Sequence, residues 1–318
     1  MNHVITQTLL PLALLLAEVV QLLRILPVWG ADMLYAKRKT DMLVLREKVT
    51  ERKLMKSKRV VVIADLHCGH IVGLCPPAWQ LKPVDAKGKR TKHIRIQQAL
   101  WKEYKRICAA IGKVDVLIVN GDCIDGRSDK TGGTETITAD RDEQCEIAID
   151  CIRRINYDKL IFTYGTAYHA GKDGEDFENQ IAAELKADKI GSHEWISING
   201  CVFDCKHFIG GSTVPYGAAT PMLRDRVWNA LWALRNEQPL GDVIVRSHVH
   251  AFCRVETADY EAVNTPALQG MGSKFGSRIC SRTVDWGLIG WDVQSKHDRN
   301  FFKHVVKIPE QAAKVTLL

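Results

Sequence analysis

The stretch that decides the fold runs from Val60 to His70 and reads VVVIADLHCGH. Val60 to Ala64 form a short apolar, β-branched run that predicts a strand buried on both faces. The run ends on Asp65, Leu66 and His67, and Gly69 gives the chain a place to turn sharply. Alternate residues of an extended chain share a face, so Asp65 and His67 are expected to point the same way, with Leu66 turned aside.

Working outward, residues 114–122 (VDVLIVNGD) and 160–165 (LIFTYG) read as two more strands of the same kind. Between and after them, residues 93–112, 140–156 and 176–187 have helical spacing, the first ending at Gly112. This β-α-β-α-β-α order predicts an α/β sheet. After Lys189 the pattern changes to short strand-like runs (EWISING, CVFDCKHFIGG, GDVIVRSHVH, AFCRVETADY and segments near the C-terminus) with one helix at 220–236. A second sheet stacked on the first is the simplest arrangement. Trp228 and Trp232 lie four apart on that helix, a spacing expected to face the core.

Chemistry-bearing residues collect at strand ends. The first predicted strand delivers Asp65 and His67, the second Asp122 and Asp125, and the third is followed by His169. Later runs carry His207, then His248 and His250 around Val249. Ligands of α/β sheets bind beyond the carboxyl ends of the strands, where such side chains converge. Aspartates and imidazoles without thiolates suit Mn, Fe, Zn or Co. Their number exceeds what one ion takes, so two divalent metal ions bridged by one Asp are expected. Such a pair can clamp an in-line displacement at phosphorus and activate water at neutral pH. Gly210-Gly211-Ser212 and Gly270-Met271-Gly272-Ser273 are glycine turns expected at the rim, as phosphate cradles or as ordinary loops. His70 and His193 have no assigned role.

The ordered blocks D65-L-H67, G121-D122-C-I-D125, G165-T-A-Y-H169, H207 and S247-H248-V-H250 resemble those of the calcineurin-like metallophosphoesterases, over roughly residues 60–250. The style is similar to phage and prophage members of that superfamily. The resemblance implies an α/β fold, a four-layer α/β/β/α sandwich of two mixed sheets, and a dinuclear metal centre. It implies that Asp65, His67 and His250 hold one metal, that Asp122 bridges, and that His207 and His248 hold the other. His169 would assist the leaving group. The family's third block carries an Asn ligand after the Gly; here Thr166 stands there, and either Thr166 or His169 is expected to complete the second site. Arg127 follows Gly126, whereas the phosphoprotein phosphatases place Arg-Gly after the second Asp.

Of 318 residues, 46% are hydrophobic and 25% charged, which fits a folded protein with a sizeable core and excludes a disordered or repetitive chain. The net charge of +7 is concentrated: residues 37–59 hold ten basic and three acidic side chains, whereas 60–318 hold 33 and 32. Residues 1–59 therefore read as an apolar and basic helical appendage to a domain spanning 60–318. The apolar part lacks an N-terminal Lys or Arg, and Glu18 and Arg24 interrupt it. It is expected to pack on the domain or a partner, to attach to a membrane, or to be cleaved as a signal. The basic part can attract nucleic acid or acidic lipid, or simply form a solvated face. The ten cysteines include no C-x-x-C pair, so free thiols in a cytoplasmic setting are expected. Together these features predict a metal-dependent phosphoesterase acting on a phosphodiester, with nucleic-acid or nucleotide substrates favoured. A non-catalytic metal-binding scaffold and a membrane-tethered phosphatase are the alternatives.

Overall fold

A computed structural model describes residues 56–81, 92–127, 131–170, 176–212, 214–280, 282–313 and 315–317. The chain divides into two compact units, Met1–Met55 and Lys56–Leu318. The helices expected before Lys56 lie outside the described residues.

The second unit begins with β1 (Lys58–Ile63), α1 (Lys92–Ile111), β2 (Lys113–Asn120), α2 (Arg141–Ile152) and β3 (Asn156–Thr163). There follow α3 (Ala167–Ala170), α4 (Phe177–Glu184), β4 (Lys189–Gly191), β5 (Glu194–Ile198), β6 (Cys201–Cys205) and α5 (Thr220–Leu234). The chain ends with β7 (Val243–Arg246), β8 (Cys253–Glu256), β9 (Glu261–Asn264), α6 (Lys274–Ile279), β10 (Trp286–Ser295) and β11 (Asp298–Val306).

Local rules account for these elements. On α1, Ile96, Leu100, Tyr104, Ile107 and Ile111 recur at helical spacing and are all buried. Gly112, at φ +64°, ends that helix in the left-handed conformation. Asp140 caps α2 by accepting from the N–H groups of Asp142 and Glu143, and Asp176 caps α4 through Glu178 N–H.

The strands form two mixed sheets. The first has the order β11-β10-β1-β2-β3-β4, with β1 to β4 parallel and β10 antiparallel to both neighbours. The second has the order β5-β6-β7-β9-β8. Alternation along β1 divides the layers: Val61 and Ile63 face the helices, Val60 and Val62 face the second sheet. On β7, Val243 and Val245 meet the first sheet, while Ile244 packs with Met222 of α5. Three apolar layers thus separate helices, sheet, sheet and helix, which is the four-layer α/β/β/α sandwich that the resemblance implies.

Three expectations are corrected. β10 and β11 return to the first sheet; β10 is buried along most of its length beside β1, so its apolar pattern alone could not assign it to a sheet. The run AFCRVETADY is one strand, β8, and a turn, after which Glu261–Asn264 form β9. Neither Trp228 nor Trp232 faces the core: they are 55% and 37% exposed, beside the exposed Val227 and Leu231. Helical spacing shows that residues share a face, not that the face is covered. Among the described residues, no helix is long and apolar enough to cross a membrane. All ten cysteines are unpaired.

The inter-sheet layer is expected to dominate stability. Phe203 is fully buried there, edge-on to Trp291 at 5.3 Å between ring centroids. Phe203→Ala should cost about 3–5 kcal/mol in a denaturant titration. Trp228→Ala should change stability by no more than about 0.5 kcal/mol.

Candidate metal centre

The acids and imidazoles do converge, from beyond the ends of β1, β2, β3, β6 and β7. These ends are not consecutive, since β4 and β5 intervene. Nor is the backbone extended where the first residues sit. Asp65 and His67 follow the end of β1 and have φ +52° and +44°. Asp122, His248 and His250 are likewise left-handed, at +52°, +74° and +55°. The expected explanation from strand alternation is therefore wrong: each residue is aimed by a left-handed turn, not by pleating. Such backbone costs a non-glycine residue roughly 1 kcal/mol or more. The surrounding loops hold it through main-chain hydrogen bonds.

Asp65 N–H donates to Gly121 O at 3.0 Å, His67 N–H to Asp122 O at 3.1 Å and Cys68 N–H to Cys123 O at 2.9 Å. The loops after β1 and β2 are thus laced together. A third segment backs them: Leu268 N–H donates to Ala64 O and Gln269 N–H to Asp65 O, at 3.2 and 2.8 Å.

Two glycines leave room at the centre. A Cβ on Gly121 would strike the His207 ring, and one on Gly165 would strike the Asp122 carboxylate. Gly165→Ala is expected to displace that carboxylate and lower stability by about 1–3 kcal/mol, read by thermal unfolding.

The side chains fall into three overlapping groups. Ligand-type atoms of Asp65, His67 and His250 lie within 4.8 Å of one another, as do those of Asp122, His207 and His248, and those of His67, Asp125 and His169. His207 Nε2 stands 3.0 Å from Asp122 Oδ2 and 3.9 Å from Asp65 Oδ1. His250 Nε2 is 3.2 Å from Asp65 Oδ1, and His67 Nδ1 is 3.3 Å from Asp125 Oδ1. Asp65, His67, Asp122 and His207 are all less than 5% exposed.

Thr166 lies against Asp122. Its backbone N–H and its hydroxyl donate to Asp122 Oδ1, at 2.7 and 3.1 Å. It therefore orients the Asp122 carboxylate. His169 is not in the group with His207 and His248. Its Nδ1–H donates to Asp125 O at 2.8 Å, and its ring meets His67 edge-on at 4.5 Å. Arg127 is exposed and does not line the cavity at the centre.

The charges divide sharply. Burial pushes the Asp65 carboxyl up, but the imidazoles of His250 and His207 outweigh it and hold the group below its ordinary range. At Asp122, burial is likewise overcome by His207, which stabilises the carboxylate strongly. Burial also opposes a proton on His207, yet the Asp122 and Asp65 charges raise it to about 10. His67 is pushed down to about 4 by burial and by the neighbouring His169. Burial and His207 lower His248 too.

A buried frame unread in the sequence supports these side chains. His207 Nδ1–H donates to Asn120 O at 2.6 Å, which turns Nε2 toward the carboxylates. Asn120 donates to Ser247 Oγ at 2.6 Å and accepts from Thr163 Oγ1 at 2.7 Å, and Thr265 Oγ1 donates to Ser247 at 2.8 Å. Ser247 is thus part of a network joining the ends of four strands. Arg246, buried beside it, pairs with Asp204 and Asp225, each at 2.8 Å. The two unassigned histidines also find partners. His193 Nε2 lies 2.7 Å from Asp204, and His70 Nε2 lies 3.8 Å from the buried Glu135. Glu178 was missed because it sits one helix away. Its carboxylate accepts from Cys123 N–H at 3.1 Å and Gly165 N–H at 2.5 Å, clamping the turns next to Asp122 and Thr166.

The fold's four layers and the order of its strand-end blocks match what the resemblance to calcineurin-like metallophosphoesterases implies. No family model and no curated protein matches the chain. Solved structures similar to it include a wild-type Vps29 complexed with Zn²⁺ from Entamoeba histolytica, at 12% identity and TM-score 0.38, covering 78% of this chain and 98% of that one. An archaeal phosphodiesterase is 13% identical at TM-score 0.38, over 77% and 99%. A predicted phosphoesterase from Streptococcus pneumoniae is 10% identical at TM-score 0.34, over 79% and 99%.

Burial, together with the Asp122 charge, raises the Glu178 carboxyl from 4.5 to about 7. Its folded value lies above its unfolded one, so the stability it confers is complete below about pH 4.5 and is lost as pH rises through about 7. In metal-free protein, Glu178→Gln should remove up to about 3 kcal/mol of that pH dependence, measured by urea unfolding from pH 4.5 to 8.

Proposed function

We propose that the protein is a metal-dependent phosphoesterase that hydrolyses a phosphodiester, related to nucleic acids or nucleotides. The observation that carries this reading is a set of buried polar atoms without hydrogen-bond partners at the point of convergence. Among the described residues they are His248 Nδ1 and three atoms that face an opposite charge without hydrogen-bond alignment: Asp65 Oδ1, 3.2 Å from His250, His67 Nδ1, 3.3 Å from Asp125, and His207 Nε2, 3.0 Å from Asp122. Orphaned atoms of this kind are costly in a protein interior unless a ligand satisfies them. Hard carboxylates and borderline imidazoles, with no thiolate among them, fit Mn, Fe, Zn or Co.

Asp65, His67 and His250 would hold one ion and His207 and His248 the other, with Asp122 between them. Divalent ions bound there supply Lewis acidity to phosphoryl oxygens and lower the pKa of water. The remaining work belongs to the chain. Asn120 and Thr166 fix the orientations of His207 and Asp122. His169, held through Nδ1 by Asp125 O, offers Nε2 to deliver a proton to the leaving oxygen. His67, His169, His248 and His250 line an open cavity of about 520 Å³, of the size that ligand sites have.

The second reading, a non-catalytic metal-binding scaffold, is favoured by Thr166, which spends its donors on Asp122 where the family has a ligand. The two readings separate in one experiment. After Mn²⁺ loading, bis(p-nitrophenyl) phosphate should be hydrolysed faster than the monoester, and Asp122→Asn should reduce the rate at least a hundredfold. Fewer than two ions per chain with no turnover of either ester would leave the scaffold reading standing.

A further inference from the structure

The cavity at the metal centre does not end there. A second cavity of about 620 Å³ adjoins it, and both are lined by Ile209, Gly210, Gly211, Val249, Cys280 and Arg282. None of the proposed metal ligands lines the second cavity. It lies between the second sheet and the start of α5, with Met222, Phe252 and Cys253 in its walls.

Two polar features stand out in this lining, which also carries Ser212 and Thr283. The first is Asn264, at the end of β9 and only 3% exposed. Its amide nitrogen donates to Ala251 O and Thr265 O, which fixes the orientation of the side chain. Its Oδ1 is then left without a hydrogen-bond partner among the described residues. A buried acceptor in that condition calls for a donor from the cavity. The second is Arg282. Among the described residues, no other lysine or arginine lines either cavity. Its guanidinium lies against Gly211, where any Cβ would collide with it. It has no ion pair or hydrogen bond through that group among the described residues. Guanidinium groups pair with phosphate oxygens and stack on aromatic planes.

We propose that the second cavity is a substrate subsite for a nucleoside arm: an aromatic base that donates a hydrogen bond to Asn264 Oδ1, on a phosphodiester that passes Arg282 on its way to the metal centre. The inference rests on the phosphodiesterase reading and narrows its substrate class. Partly apolar walls, one buried acceptor and one cation unpaired among the described residues suit a flat ring with an N–H edge and an anionic neighbour.

The test compares two esters with the same leaving group on the Mn²⁺-loaded full chain. One is adenosine 5′-(p-nitrophenyl phosphate), whose exocyclic amine is the donor; the other is methyl p-nitrophenyl phosphate. In each, water adds to phosphorus, the P–O bond to p-nitrophenolate breaks, and the remaining alcohol stays esterified. The adenosine ester should be preferred at least tenfold in kcat/KM, chiefly through KM. Arg282→Ala and Ala218→Trp, both at exposed positions, should each reduce that ratio about tenfold. Equal kcat/KM for the two esters, or a ratio unmoved by both variants, overturns the subsite while leaving the phosphodiesterase reading intact. If neither ester is hydrolysed, the activity reading fails and calorimetry decides the subsite. Adenosine monophosphate binding that weakens about tenfold in both variants supports it, and absence of binding overturns it.

Discussion

Asp122 is the residue on which the other parts of the site converge. It is 2% exposed and sits in a left-handed turn. Its carboxylate faces His207 and accepts from Thr166. Its backbone carbonyl positions His67, and its neighbour Cys123 is tied to Glu178. A buried carboxylate is tolerated only when so many donors and cations surround it. Loops from β1, β2, β3 and β6 must therefore meet at one point, and the two sheets must stack so that their carboxyl ends open on the same edge.

The surrounding structure opposes considerable strain. Five proposed functional residues occupy left-handed backbone that glycine would adopt at less cost. Their side chains are needed, so the turns keep the strain and the main-chain lacing from the loops after β1 and β2 and from Leu268 and Gln269 restrains them. Stability that other proteins keep in relaxed loops is here supplied by the apolar layers on either side of the first sheet.

Much of this was legible in the chain. Apolar runs located β1, β2 and β3, helical spacing located α1, and the strand-end acids and imidazoles identified the convergence point. What escaped was information that pattern does not encode. The apolar run of β10 is compatible with either sheet; pairing with β1 decides it. Trp228 and Trp232 share a face, but whether that face is covered depends on what packs there. Thr166 could be placed by homology of position, yet only geometry reveals that it donates to Asp122. Asn120, Ser247, Thr265 and Glu178 are ordinary residues in local sequence and acquire their roles through contacts between distant segments.

Every proposed metal ligand falls between Asp65 and His250, whereas Gln269, Met271, Phe275, Cys280 and Arg282, which shape the cavity rim, come later in the chain. That side of the rim, facing Ile209, Gly210 and Gly211, is therefore a separate stretch of sequence, tied to the earlier one where Leu268 and Gln269 bond the loop after β1, Gly270 bonds Val72 and Phe275 bonds Glu135. The later stretch makes those bonds through its backbone N–H groups, so its side chains can change while the bonds persist. The cavity can in this way be reshaped by side-chain exchange within a segment shorter than 20 residues, spanning Gln269 to Val284, that carries none of the proposed metal ligands.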